Sequence, residues 1–504
     1  MMLTPSMILM IPFVTAVLTL ALGRWPLLQR ATSLLGSLLA LAAAITIFLR
    51  VDDGEFLVEQ MGAWPAPFGI SLVIDRLAAV LVLITGFVGV VVNLYVQSPE
   101  QRLTQGRDFH PLYQLLLAGV TGAFITGDFF NLFVFFEVML ISSFVLMIRE
   151  KRPDQYDGTV KYVLLNLLAS LLFLAGLAFI YNGLGTLNMA DVGRLFRSST
   201  WSLSTSAGFY SLFLAFAIKA GMFPVYFWLP ASYPCSPIAT TSLFAALLTK
   251  VGVYSLLRLN SVVGPALPPL YLQTLVVLSL LTMLFGVLGA ASQQEIRRIL
   301  SFHIISQIGY ITLGLGYMTE LALAGTVFYL IHHIVVKANL FLVAGVLDRI
   351  WGTTQLARIG ETLKISKWLA LGFLIPALSL AGVPPLSGFF AKLAVLQSAL
   401  DARDFLSLGV ALFVGLFTLY SMIKIWLEAF WKEHPDPAPT NRIHRPLTLA
   451  EKGWMGGAIA LFAAWTFAMG FGVGPAMEFA HRTGKDLMQG EAYIQKVLNP
   501  RRTP

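Results

Sequence analysis

The sequence predicts an all-α polytopic membrane protein with about fourteen transmembrane helices. Three observations lead there. The 504-residue chain is 57% hydrophobic and only 12% charged, with a mean hydropathy of +0.77, whereas a soluble domain carries about 25% charged residues. Segments of the roughly 20 apolar residues needed to cross a bilayer begin at Leu3 and recur to the C-terminal region. The loops between them alternate between rich and poor in Lys and Arg, as orientation by the positive-inside rule requires. So apolar a surface excludes a cytosolic enzyme or a nucleic-acid binder. The net charge of +8 and the pI near 9.5 therefore read as basic loops and not as a site for a polyanion.

Taken in order, the first span, near 3–22, lacks a basic n-region and a small-residue cleavage site, so it is expected to stay as a helix. Spans follow near 31–49 and 72–96, the latter carrying Asp75-Arg76, expected to form an internal or intersubunit pair. Those near 112–127 and 129–148 come next, and Glu137 is the sole ionisable side chain of the fifth. The aromatic run 129–136 in that helix reads as lipid-facing and packing surface. Beyond 160–182, the segment 207–229 holds Lys219 five residues before Pro224, and 237–257 holds Lys250. Further spans lie near 268–290 and 297–317, with His303, Ser306 and Gln307 in the latter, and near 321–347, with His332, His333 and Lys337. His333 and Lys337 are four apart and share a helix face. The segment 367–400 has Lys392 as its only charge between Trp368 and Leu400, after Pro384-Pro385. The last two spans lie near 406–430, with Lys424 and Glu428 as an i,i+4 pair near a helix end, and near 454–474.

A charge at the bilayer centre costs about 2.5–3.5 kcal/mol on insertion scales, so it persists only with a partner, water or a function. A static ion pair or a snorkelling lysine accounts for any one of these residues, but snorkelling works near helix ends and these positions are central. Lysines outnumber acids among them, so pairing cannot neutralise all of them. A lysine able to lose and regain its proton is what a relay requires. Proline removes a backbone donor and breaks a helix. Carbonyls freed at membrane depth are tolerated only where protein or a water cavity meets them, and matching breaks in two halves point to a transport site. The spacing from Lys219 to Lys250 is 31 residues and from Lys392 to Lys424 is 32. The expected organisation is three helices in 1–110, a first five-helix repeat in 111–260, a second in 261–430, and a loop, the last span and a tail in 431–504.

Loops after odd-numbered spans carry eighteen Lys and Arg, including Arg149, Lys151, Arg298, Arg349 and Arg442. Those after even-numbered spans carry five: Arg50, Arg194, Arg197, Arg258 and Arg403. The positive-inside rule then puts the odd loops in the cytoplasm and both termini outside, with the five basic residues after 475 as an exception on the outer side. One cysteine, Cys235, allows no internal disulfide and reads as inert. There is no CxxC, P-loop or GxGxxG, so neither a cofactor nor a metal is implied.

Four stretches carry a family resemblance: HPLYQLLLAGVTGAFITGDFFNLFVFFEVML (110–140), IKAGMFPVYFWLPASYP (218–234), LFAALLTKVGVYSLLR (243–258) and LAGVPPLSGFFAKL (380–393). Over nearly its whole length the chain resembles the D subunits of Mrp-type multisubunit sodium/proton antiporters, which are similar to the antiporter-like subunits of respiratory complex I and membrane-bound hydrogenases. The resemblance implies fourteen helices in which two five-helix repeats are inverted about an axis in the membrane plane, with helices 7 and 12 broken. It also implies a proton-transfer path: Glu137 as the key acid, Lys219 as its partner, Lys250 as a bridging lysine, His332, His333 and Lys337 as the central group, and Lys392 as the terminal lysine. Lys392 favours the Mrp form, since the complex I counterpart usually carries a glutamate there. Ala231-Ser232 departs from the family in lacking an acid after Trp-Leu-Pro, so no ion ligand is expected at that place. Implied partners are the A, B, C, E, F and G subunits, protons and sodium ions, and a bacterial cell membrane, with no nucleic acid. The competing function is a proton-pumping subunit of a redox complex of the complex I or hydrogenase type. For the third class, a scaffold, the buried charges would be an expensive accident.

Overall fold

A computed structural model describes residues 3–104, 106–436 and 445–499. Arg442, one of the counted loop cations, lies outside them. Among the described residues, twelve helices are long and apolar enough to cross a membrane, and two shorter apolar helices, Phe109–Ile125 and Lys367–Ala381, accompany them. In chain order the principal helices are α1 (Pro5–Ala21), α2 (Pro26–Asp52), α3 (Arg76–Tyr95), α4 (Phe109–Ile125), α5 (Phe129–Met147), α6 (Pro153–Leu184), α7 (Leu203–Ala220) and α8 (Ile238–Val263). They continue with α9 (Pro269–Ser292), α10 (Ile296–Tyr317), α11 (Glu320–Trp351), α12 (Lys367–Ala381), α13 (Ser387–Asp401), α14 (Phe405–Ile425), α15 (Leu449–Phe471), α16 (Val473–Gln489) and α17 (Glu491–Leu498). Between α2 and α3 a small antiparallel hairpin forms from β1 (Leu57–Gln60) and β2 (Ser71–Ile74), with Leu57 opposite Ile74.

Burial sorts these helices. The most apolar stretches of α8 and α11 are buried entirely, and that of α10 almost so, whereas only about a third or less of those of α1, α2 and α14 is buried. The chain therefore wraps outer helices around a polar-bearing centre. Small residues allow close packing there: a Cβ on Gly252 of α8 would lie 2.5 Å from the Ala220 nitrogen at the end of α7.

The segments predicted as spans 207–229 and 367–400 are each two pieces. α7 stops at Gly221 (φ +79°), and the chain resumes as the short helix Trp228–Ser232; α12 stops at Gly382 (φ +91°), and the chain resumes as α13. Both stops have the same cap. Met222 donates its N–H to the Ala217 carbonyl and Val383 donates to the Leu378 carbonyl, each at 3.0 Å. This i→i−5 bond closes a Schellman turn, and its left-handed residue is glycine because a Cβ is disfavoured there. Carbonyls released by the breaks find side-chain donors, Trp228 Nε1 on Ile218 O at 3.0 Å and Lys392 Nζ on Ala381 O at 2.9 Å.

Loops gather by face. The hairpin, the 185–202 connection and α16–α17 lie together, joined by Asn188 Nδ2 to Ser71 Oγ (3.0 Å), Gln60 Nε2 to Val497 O (3.2 Å) and Arg197 to Glu491 (3.3 Å). Contacts at other helix ends, Arg152 Nη2 to Cys235 O at 2.8 Å and Arg349 to Glu451 at 3.0 Å, join the alternate connections.

Several expectations need correction. Asp75 and Arg76 do not pair with each other: Asp75 takes Arg258 at 2.6 Å, and Arg76 takes Asp486 at 2.5 Å. Both are internal pairs. Arg258 is therefore not a loop cation; it is a buried residue of α8. Lys424 sends its ammonium to the carbonyls of Ala291 (3.2 Å) and Gln293 (2.6 Å), while Glu428 pairs with Lys432. The aromatic run, by contrast, is both outer and packing surface as read from the sequence, with Phe129, Phe135 and Phe136 buried and Phe130 and Val134 exposed.

Candidate functional site: a buried file of ionisable side chains

The site runs from α5 across α6, α7, α8, α10 and α11 to α13. It starts with the half-buried Glu137, whose Oε1 accepts the Ser170 hydroxyl at 2.5 Å. Lys219 Nζ donates to the same Ser170 oxygen at 3.3 Å and stands 4.9 Å over the Phe136 ring. The predicted acid and lysine thus meet through a hydroxyl on α6 and not directly. Ser170 is the residue that sequence reasoning missed. A small cavity of about 20 Å³, open to water-sized occupants, borders Lys219 and is lined by Tyr162, Asn166 and Trp228 among others. Tyr162 is held by a 2.9 Å hydrogen bond to Ser143.

The step to α8 is set by backbone packing. With Gly252 seated on the Lys219–Ala220 backbone, Lys250 lies half a turn away on the same helix. Lys250 is fully buried and donates to the Ala245 carbonyl of its own helix. It interacts electrostatically with His333 and Lys337 of α11. Lys337 Nζ donates to the Leu300 carbonyl of α10 at 3.3 Å.

His303 of α10 is fully buried and lies within the electrostatic reach of both Lys337 and Lys392. Neither ring nitrogen of His303 or His333 has a hydrogen-bond partner among the described residues. Those nitrogens remain open to take up or pass a proton. His332 faces the second break. Its Nδ1 is 2.9 Å from Ser387 Oγ, and Ser387 is 3.2 Å from Ser379. Gly388 leaves the room for this, since a Cβ there would lie 2.9 Å from a His332 ring carbon. Lys392 closes the file, bound to Ala381 O and 5.1 Å over the Tyr310 ring. Tyr310 in turn stacks on Tyr329, which donates to Gln307 Oε1 at 2.5 Å.

All seven expected residues therefore lie inside the helix bundle, Glu137 half-buried and the other six buried, with His303 among them. Chemically it is a row of amines and imidazoles with one carboxylate, spaced by hydroxyls. Such groups bind, hold and pass protons. Among the described residues no group of three or more His, Cys, Asp or Glu could hold a metal ion.

Comparison with known proteins identifies the family. The family described as "NADH:quinone oxidoreductase/Mrp antiporter, TM" matches residues 126–418, from the start of α5 to the second half of α14. The chain belongs to this family. Within it, the D-type Na(+)/H(+) antiporter subunit of Alkalihalophilus pseudofirmus is 42% identical, covering 97% of this chain and 98% of its own. The subunit of the same name from Bacillus subtilis is 34% identical, again over 97% and 98%. A chain in the structure of the Mrp complex from Dietzia sp. superposes with a TM-score of 0.90 at 32% identity, covering 98% of this chain and 99% of that one. The family relation and the apolar helices together make this a multi-pass membrane protein.

Proposed function

We propose that the chain is the D-type subunit of a multisubunit sodium/proton antiporter in a bacterial cell membrane. It works with the other Mrp subunits, A, B, C, E, F and G, as a secondary transporter and not as an enzyme. The observation that carries the reading is the set of ionisable side chains held inside the helix bundle between Glu137 and Lys392, in a chain without redox motifs. Near-full-length likeness to antiporter D subunits supports it.

In this reading Glu137 and Lys219 form the first proton-loading unit, coupled through Ser170. A negative carboxylate favours the protonated amine; when the carboxylate takes a proton, the lysine releases its own toward Lys250. His333, Lys337, His303 and His332 join the halves, and Lys392 exchanges the proton at the far end. The five-helix repeats are assigned to 111–260 and 261–430, and the loop charges put both termini outside.

Glu137→Gln tests the reading. It keeps the size of the side chain and an acceptor for Ser170 but removes the charge. Assembled complexes carrying it should lose sodium-driven proton flux in vesicles while complex yield stays near the parent's. Near-normal flux from an assembled Glu137→Gln complex would sink the proposal.

A further inference from the structure

A half-polar cleft, with about 60 Å³ open to water-sized occupants, lies beneath α16 and α17, bordered by Asp75, Arg76, Arg258, Asp486, Tyr493 and Lys496. It lies on the face that carries the hairpin and the 185–202 connection. Its inner wall is the Asp75–Arg258 pair, and behind that wall, on the same helix, stands Lys250. Lys250, Tyr254 and Arg258 are four residues apart and line one stripe of α8. The lysine and the arginine are separated by two turns, about 12 Å of rise. This solvent-open cleft thus comes within about two turns of Lys250, at a place where an open connection would let protons bypass the route to Lys392.

The groups between them are arranged to stop a proton. Arg258 is buried and donates Nη1 to Asp75 Oδ2 (2.6 Å) and Nη2 to Asp75 Oδ1 (2.9 Å). The same Oδ1 also accepts the Ala78 N–H at 2.9 Å, so the carboxylate is occupied. Arg258 Nε donates to the Tyr254 hydroxyl at 3.3 Å, and Tyr254 spends its own proton on the Phe124 carbonyl at 2.8 Å. This hydrogen-bond chain ends on a backbone carbonyl, which cannot pass a proton on. Its central member, an arginine, essentially never deprotonates. Two rings flank the guanidinium, Tyr254 with its centroid at 5.3 Å and Tyr493 at 4.7 Å. On the far side Lys250 points its ammonium back to Ala245.

We propose that the Asp75–Arg258 pair, clamped between Tyr254 and Tyr493, is an electrostatic plug that seals Lys250 from the aqueous cavity and prevents a proton short circuit. An arginine fixed in a pore acts this way, as a barrier to protons and cations. The C-terminal helix α17 takes part in the seal because it supplies Tyr493. The inference rests on the proton-path reading above.

The test uses the whole complex in proteoliposomes free of sodium, with an imposed pH gradient followed by a pH dye. Asp75→Asn combined with Arg258→Met removes both charges together, so neither partner is left buried alone. Tyr493→Ala, on the peripheral helix, opens the clamp while keeping the pair. Each is expected to dissipate the gradient at least fivefold faster than the parent, and adding Lys250→Met should restore the parent rate. Parent-like retention of the gradient by both assembled variants overturns the plug, and so does a leak that survives Lys250→Met. The antiport reading is scored separately, by sodium-driven flux in the parent complex. Its failure would leave the leak measurement intact.

Discussion

Ser170 decides how the first two charges communicate, because Glu137 and Lys219 both bond to its hydroxyl. A hydrogen bond to a charged group is worth about 1.5–3 kcal/mol, and about 1.4 kcal/mol is tenfold in rate. Ser170→Ala should therefore slow sodium-driven proton flux about tenfold or more, at unchanged complex yield, with Ser170→Thr retaining most of the activity. A fully active alanine variant would remove the hydroxyl from the path. The charged members of the site were legible in the sequence for a plain reason. A lysine or glutamate inside twenty apolar residues, such as Glu137 between Phe129 and Ile148, has no inexpensive place to sit. Ser170 gave no such signal, since a serine in a helix can bond back to its own backbone at little cost, as Ser142 does to Val138 at 2.8 Å. The partners of Asp75 and Arg76 were hidden for another reason. Arg258 and Asp486 are 183 and 410 residues away, and no local pattern encodes such pairings.

At the scale of elements, the breaks in α7 and α12 were readable from Pro224 and Pro384-Pro385, but their chemistry was not. The matching stops at Ala220-Gly221-Met222 and Ala381-Gly382-Val383 give two helix ends that present carbonyls at membrane depth. The second end is answered by Lys392 itself. The terminal lysine thus caps the helix it follows, so any change in its protonation acts on the break. The final helices α16 and α17 were read only as a tail, because their mixed charge falls short of an apolar span. Their apolar residues Phe479, Leu487 and Tyr493 are nevertheless buried. Close contact between α7 and α8 depends on Gly252, where an added methyl would meet the Ala220 nitrogen at 2.5 Å and the Lys219 carbonyl carbon at 2.8 Å. Overpacking of this kind costs about 1–3 kcal/mol. Gly252→Ala should lower the melting midpoint of the solubilised complex and suppress antiport by pushing Lys219 away from Lys250. Parent-like flux would show that the contact does not set their spacing.

For the whole molecule, the proposed orientation rests on the count of basic residues, which the structure amends. Moving Arg258 into α8 and the equally buried Arg297 into α10 leaves four cations on the connections after even-numbered spans, against seventeen on the others, of which Arg442 lies outside the described residues. The bias toward one face therefore grows, and the positive-inside rule counts Lys and Arg in just such short loops. The hairpin, the 185–202 connection and α16–α17 would then face outward, with the plug guarding Lys250 against the side from which protons are driven inward. Thiol labelling of whole cells checks this. In a Cys235→Ser background, Ser199→Cys should react with an impermeant reagent, whereas Lys151→Cys should react only with a permeant one or after lysis. Both positions are exposed in the subunit, so access to the reagent depends on which face each occupies. Rapid outside labelling of Lys151→Cys would invert the topology. It would place the cavity and plug on the cytoplasmic face, and the leak across them would have to be sought in the opposite direction.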